Sequence, residues 1–183
     1  HSLMALLLEL PSRTIFENLT YDVDPILIFN RKKDLMKKIS LGLQDVFETK
    51  ALKLYKSRIQ NNKSFGERFL LEKSLKYLIL IKSSIGIKIA EKISTNENMS
   101  LSIMGLKSLC LANNQLSLNY LNNFYKKWKD NDLVIEKWFE MMSTLNIRTQ
   151  GLDLIKNLLK HKDFDYKNPN KLRSVLSTFQ REN

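Results

Sequence analysis

The sequence predicts an all-α protein, and three observations carry that prediction. Apolar residues recur at helical spacing from end to end, with no strand-type alternation. Gly (5) and Pro (3) are scarce among 183 residues, too few for the turns of an all-β chain. Short polar stretches break the pattern repeatedly and mark about ten helices of moderate length. Antiparallel helices joined by short loops give either a bundle or a stacked solenoid. Helical-pair repeats often hide their period, so the lack of an exact repeat leaves both open.

The first segment, 2–9, is short and apolar, and Pro11 ends it. Ser12 is placed to cap a second short helix through about Leu19. "TYDVDP" reads as a loop. Asp24 then caps a helix with Pro25 at its first position, running to about Leu43. Ile28, Leu35 and Ile39 fall on one face of it, with Arg31, Lys32 and Lys38 elsewhere. A helix over about 45–60 has Val46, Leu52, Leu54 and Ile59 as its apolar points.

Ser64 and Glu67 form an S-x-x-E capping box for a helix carrying Phe69, Leu71, Leu75 and Leu78. A short helix follows over 85–94. Asn98 is placed to cap the next, through about Ala112. "NNQ" separates that helix from one ending near Trp128, and "KDND" starts another through about Ser143. A helix from about Arg148 to Lys160 and a last one from Pro169 complete the chain. Asn168 and Pro169 make a strong start for the last. Lys171 and Arg173 close behind oppose its macrodipole.

The net charge is +11. Most of it is Lys spread in ones and twos, densest at "RKK" (31–33), "KK" (37–38) and "KKWK" (126–129). That pattern favours a solvated surface over a nucleic-acid footprint. One cysteine, Cys110, excludes an intrachain disulfide and suits a reducing compartment. No apolar run is long enough to span a bilayer. "LMALLLEL" lacks a basic flank and a cleavage site, and Glu9 interrupts it, so it reads as a buried helix rather than a leader.

Catalytic constellations are missing. The zinc peptidase signature H-E-x-x-H needs two histidines one helical turn apart. This chain has only His1 and His161, and one Cys with two His is too few for a structural zinc. Cys110 lies inside apolar "LKSLCLA" and reads as a small buried hydrophobe. There is no G-x-S-x-G elbow, and the five glycines are isolated, so no phosphate cradle exists. His161 follows "IKNLLK" near a helix C-terminus, where an imidazolium would favour the last carbonyls. Phe124, Tyr125, Trp128, Trp138 and Phe139 interleave with Lys. Stacking on bases is one reading, but packing between adjacent helices is favoured.

Two stretches go beyond generic helix. "WKDNDLVIEKWF" (128–139) resembles the W-x-x-x-x-L-V-x-(D/E)-K-W-F segment of bacterial aminopeptidase N. "LLKHKDFDYKNPNKLRSVLSTF" (158–179) resembles that family's L-x-x-H-x-x-F-x-x-x-N-P-N-(R/K)-x-R-S-x-x-x-x-F run. It matches at Leu158, His161, Phe164, Asn168, Pro169, Asn170, Lys171, Arg173, Ser174 and Phe179. A third, "LELPSRTIFENLTYDVDPILI", is similar to the family's L-x-L-P-S…(I/V)-D-P-x-x-I stretch. The order is the family's own. One departure is "NMSL" at 98–101, where the family usually carries an acidic residue after N-M-(T/S).

The resemblance implies a right-handed α-solenoid of armadillo/HEAT-like helix pairs. It implies that 1–183 is a single helical domain, most of the C-terminal domain of a cytoplasmic zinc aminopeptidase. The upstream catalytic domain and the last helices would then lie outside it. Zinc would sit in the catalytic domain, and this chain would supply no catalytic residue, no metal ligand and no cofactor site. Its partners would be that domain and the peptide substrate, with no membrane or nucleic acid. Arg173 matches an Arg that lies toward the substrate-side cavity. The rival is a stand-alone basic helical module binding an acidic protein or nucleic acid. That would need Lys32, Lys33, Lys37 and Lys126–Lys129 to converge on one groove.

Overall fold

The computed structural model describes residues 1–19, 21, 24–57, 65–112, 115–145 and 151–182, and all their regular structure is helical. The helices are α1 (Ser2–Leu7), α2 (Arg13–Glu17), α3 (Pro25–Gly42), α4 (Gln44–Lys56), α5 (Phe65–Leu80) and α6 (Ser84–Ser94). Then come α7 (Met99–Ala112), α8 (Gln115–Trp128), α9 (Asp132–Ser143), α10 (Gly151–Leu159) and α11 (Pro169–Leu172). The last runs on through a π-helical turn, Arg173–Ser177, into α12 (Thr178–Glu182). The chain divides into two compact units, His1–Ala90 and Glu91–Asn183.

In the first unit, α4 packs against α5, and α1 and α3 also lie on α5. The buried face of α4 is Phe47, Ala51 and Leu54, spaced to face α5. Of the expected apolar points Leu54 is buried and Val46 is exposed; Ile59 lies outside the described residues, as does Ser64 of the expected capping box. Phe47 stacks on Tyr77 with centroids 5.0 Å apart, and the Tyr77 hydroxyl donates to the Leu8 carbonyl at 2.7 Å. That bond, the Lys73–Glu9 ion pair and fully buried Ala5 hold α1 on α5, but the helix is not buried as expected, since Leu3, Met4, Leu6 and Leu7 are exposed.

Asp24 caps α3 as expected, accepting from the Ile26 and Leu27 amides at 2.9 and 3.0 Å. Ser12 precedes α2, but its side chain makes no cap bond. Ser83 caps α6 through the Gly86 amide at 3.2 Å, and its hydroxyl donates to Glu48 at 2.7 Å. Along α3, Ile28 and Ile39 are half-buried while Leu35 is exposed.

The second unit is built round one core, made by Leu106 and Cys110 of α7, Leu121 and Phe124 of α8, and the inner face of α9. Ile155 and Leu158 of α10 and Val175 of the π turn complete it. Asn98 accepts from the Leu101 amide at 3.2 Å and starts α7 as expected. Asn131 accepts from the Val134 amide at 3.3 Å and starts α9. Trp138, whose indole N–H donates to the Leu121 carbonyl at 3.1 Å, ties α9 to α8.

Candidate functional site

The last helix carries the residue singled out by the sequence. Asn168 caps it, accepting from the Asn170 and Lys171 amides at 2.9 and 3.3 Å. Those two bonds satisfy donors that the helix start would otherwise leave unpaired. Pro169 occupies the first turn, where its missing N–H costs nothing. Ser174 donates its hydroxyl to the Lys171 carbonyl at 2.7 Å. Beyond Leu172 the helix widens into the π turn, which packs on α9 through fully buried Val175.

The two cations behind this start have different fates. Lys171 is only 7% exposed, and its Nζ donates to Asp132 Oδ1 at 3.0 Å. Asp132 opens α9, where a carboxylate also suits the helix dipole. Arg173 is exposed, and its guanidinium finds no partner among the described residues. Sequence reasoning treated the two alike; nothing local announces that Lys171 reaches an aspartate 39 positions away.

The loop before α11 is anchored by an aromatic cluster. The His161 ring lies 5.2 Å from Tyr125, 5.1 Å from Trp138 and 5.6 Å from Phe139. Its Nδ1 accepts the Asp163 amide at 3.2 Å, which requires that nitrogen unprotonated. Burial lowers its pKa below the ordinary 6.5, against the Asp163 carboxylate, which raises it, and with Lys162, which lowers it further. The expected imidazolium capping the last carbonyls of α10 is therefore not what forms. The ring is an uncharged acceptor for the following loop.

Tyr125 donates its hydroxyl to Asp163 in a short hydrogen bond. Burial first, then that bond and the charges of Asp163 and Asp130, push the phenol up to about 12. Tyr125 packs on Trp138 across the α8–α9 pair at 4.9 Å, while Phe124–Trp128 at 6.4 Å and Trp138–Phe139 at 5.1 Å are neighbours within one helix. Phe124, Trp138 and Phe139 are buried in the core those helices share, with Tyr125 and Trp128 against it, so these residues pack between adjacent helices, as favoured from sequence.

The other candidates resolve as follows. Cys110 is buried, and desolvation pushes its thiol up to about 12. Lys127 pairs with Glu97 at 2.8 Å and lies over the Trp128 ring, while Lys32 donates to the Pro11 carbonyl at 2.7 Å. Among the described residues, no three His, Cys, Asp or Glu gather where a metal would sit. No helix of those residues is long and apolar enough to cross a membrane.

Comparison with known proteins agrees with this architecture. Residues 1–183 match the family described as a domain of unknown function (DUF3458_C) of ARM repeats. Aminopeptidase N of Escherichia coli is 24% identical across 100% of this chain and 21% of its own length. That of Haemophilus influenzae is 25% identical, over 99% and 21%. That of Caulobacter vibrioides is 26% identical, over 96% and 20%. The chain therefore spans about a fifth of the length of the curated relatives it matches. The crystal structure of Legionella pneumophila aminopeptidase A in complex with aspartic acid shares the fold, with a TM-score of 0.84 at 20% identity. That match covers 98% of this chain and 22% of the other.

Proposed function

The chain belongs to the DUF3458_C family of ARM-repeat domains, and from that premise we propose that it is the non-catalytic C-terminal domain of a zinc-dependent aminopeptidase. One observation carries the reading. The chain aligns end to end with aminopeptidase N sequences yet accounts for only about a fifth of each. The remaining length in such an enzyme is room for the catalytic domain.

In this reading the helices wall the cavity in front of the active site. Short peptides with a free N-terminus enter, and folded proteins do not. The zinc would belong to the catalytic domain, where it would supply Lewis-acid activation of water for cleavage of the first peptide bond. The residues described here do not fit that ion: no ligand set gathers, Cys110 is a buried thiol, and His161 spends its Nδ1 on a backbone amide. The enzyme works in the cytoplasm. Arg173 faces the cavity and takes the terminal carboxylate of the peptide in a charge-assisted hydrogen bond. Its exposure, and a guanidinium with no partner among the described residues, support that role.

The test is Arg173→Ala in the full-length enzyme, assayed with a tripeptide and with its C-terminal amide. A hydrogen bond to a charged group contributes about 1.5–3 kcal/mol, so KM for the free acid should rise roughly tenfold or more. KM for the amide should stay put. No change for either substrate contradicts the cavity role.

A further inference from the structure

We infer that Lys171 is a positioning residue for Arg173, acting through its ion pair with Asp132. This rests on the cavity role proposed for Arg173 and goes beyond it, since Lys171 itself touches no substrate.

The argument is geometric. Two positions along a helix are separated by about 200°, so they point to opposite faces. Fixing Lys171 against the body of the unit therefore turns Arg173 outward. The fixing is strong for a lysine. Its side chain is almost wholly buried, and the ammonium reaches Asp132 Oδ1 at 3.0 Å. A buried ammonium left unpaired is costly, so the pair constrains the helix start rather than decorating it.

Three further contacts make the start rigid. Asn168 caps it, the Ser174 hydroxyl bonds the Lys171 carbonyl, and Val175 is sunk in the core one turn on. Arg173 lies between the pinned Lys171 and the pinned Val175, at the first residue of the π turn. Single π turns inside α-helices occur frequently at functional sites. The pairing also separates the charges. Asp132 answers Lys171, so Arg173 is left with its charge uncompensated among the described residues.

The test uses the full-length enzyme and a tripeptide with a free carboxylate. Lys171→Met keeps the apolar stem and removes the charge, while Lys171→Arg restores a cation. Asp132→Asn breaks the same pair from a residue whose side chain is 84% exposed, removing the counter-charge while its amide oxygen can still accept from Lys171, and thermal unfolding of each variant separates a lost fold from a displaced guanidinium. Lys171→Met and Asp132→Asn should each raise KM roughly three- to tenfold with kcat within about twofold, as expected for a displaced binding group. Lys171→Arg should recover most of the loss. In an Arg173→Ala background, neither change should raise KM further.

A KM unaffected by both pair-breaking variants, while Arg173→Ala raises it, overturns the positioning role and leaves the cavity role standing. An equal KM rise with and without Arg173 also overturns it, since the effect then does not pass through the guanidinium. If Arg173→Ala alone leaves KM unchanged, the cavity role fails and the positioning role with it.

Discussion

His161 shows what a single residue owes to distant ones. Burial depresses its pKa, so the folded chain binds fewer protons than the unfolded chain between the folded value and 6.5. Its contribution to stability is complete above 6.5 and is lost as the pH falls through the folded value. The midpoint of thermal unfolding should therefore decline on acidification below 6.5, and His161→Gln should lack that part of the decline. A histidine whose imidazolium capped a helix would give the opposite slope. The error in reading it as a cation has a physical origin. Its position after α10 is visible in the sequence, but Tyr125, Trp138 and Phe139 reach it from α8 and α9. Cys110 was legible because its own neighbours, Leu109 and Leu106, already say that the site is apolar. With its thiol pushed up to about 12, alkylation by iodoacetamide at mildly alkaline pH should be very slow in the native chain and fast in denaturant.

Helices were read well where the signal is local. Asp24 with Pro25, Asn98, and Asn168 with Pro169 each sit where a helix starts, and each cap bond forms. The π turn over Arg173–Ser177 was not legible, because it arises where Val175 docks on α9 rather than from the residue types. Packing between elements is equally hidden at Gly86. A Cβ there would come within 2.6 Å of the Leu78 Cβ, so α6 lies closely on α5 at this glycine. Alanine is the better helix former by about 1 kcal/mol. Overpacking should outweigh that, and Gly86→Ala should lose roughly 1–2 kcal/mol in chemical denaturation. Gly42, at the end of α3, meets nothing within 4 Å. Gly42→Ala should be neutral or slightly stabilising, and a loss there equal to that at Gly86 would contradict the packing explanation.

For the molecule as a whole, the all-helical class followed from periodicity and from the scarcity of Gly and Pro, both properties of the entire chain. The division into His1–Ala90 and Glu91–Asn183 did not, since it falls inside the continuous apolar pattern of α6. The candidate site was half visible. Motifs singled out Arg173, but burial of Lys171 depends on where Asp132 comes to lie. The net charge of +11 remains the argument for the rival, a free-standing basic module. Lys32 and Lys127 are instead engaged within their own units. The size of the native polypeptide separates the two readings most directly, by immunoblot of source cells with an antibody raised to this chain. A domain of an aminopeptidase predicts a band several times the 21.5 kDa of this chain. A band at 21.5 kDa would contradict it.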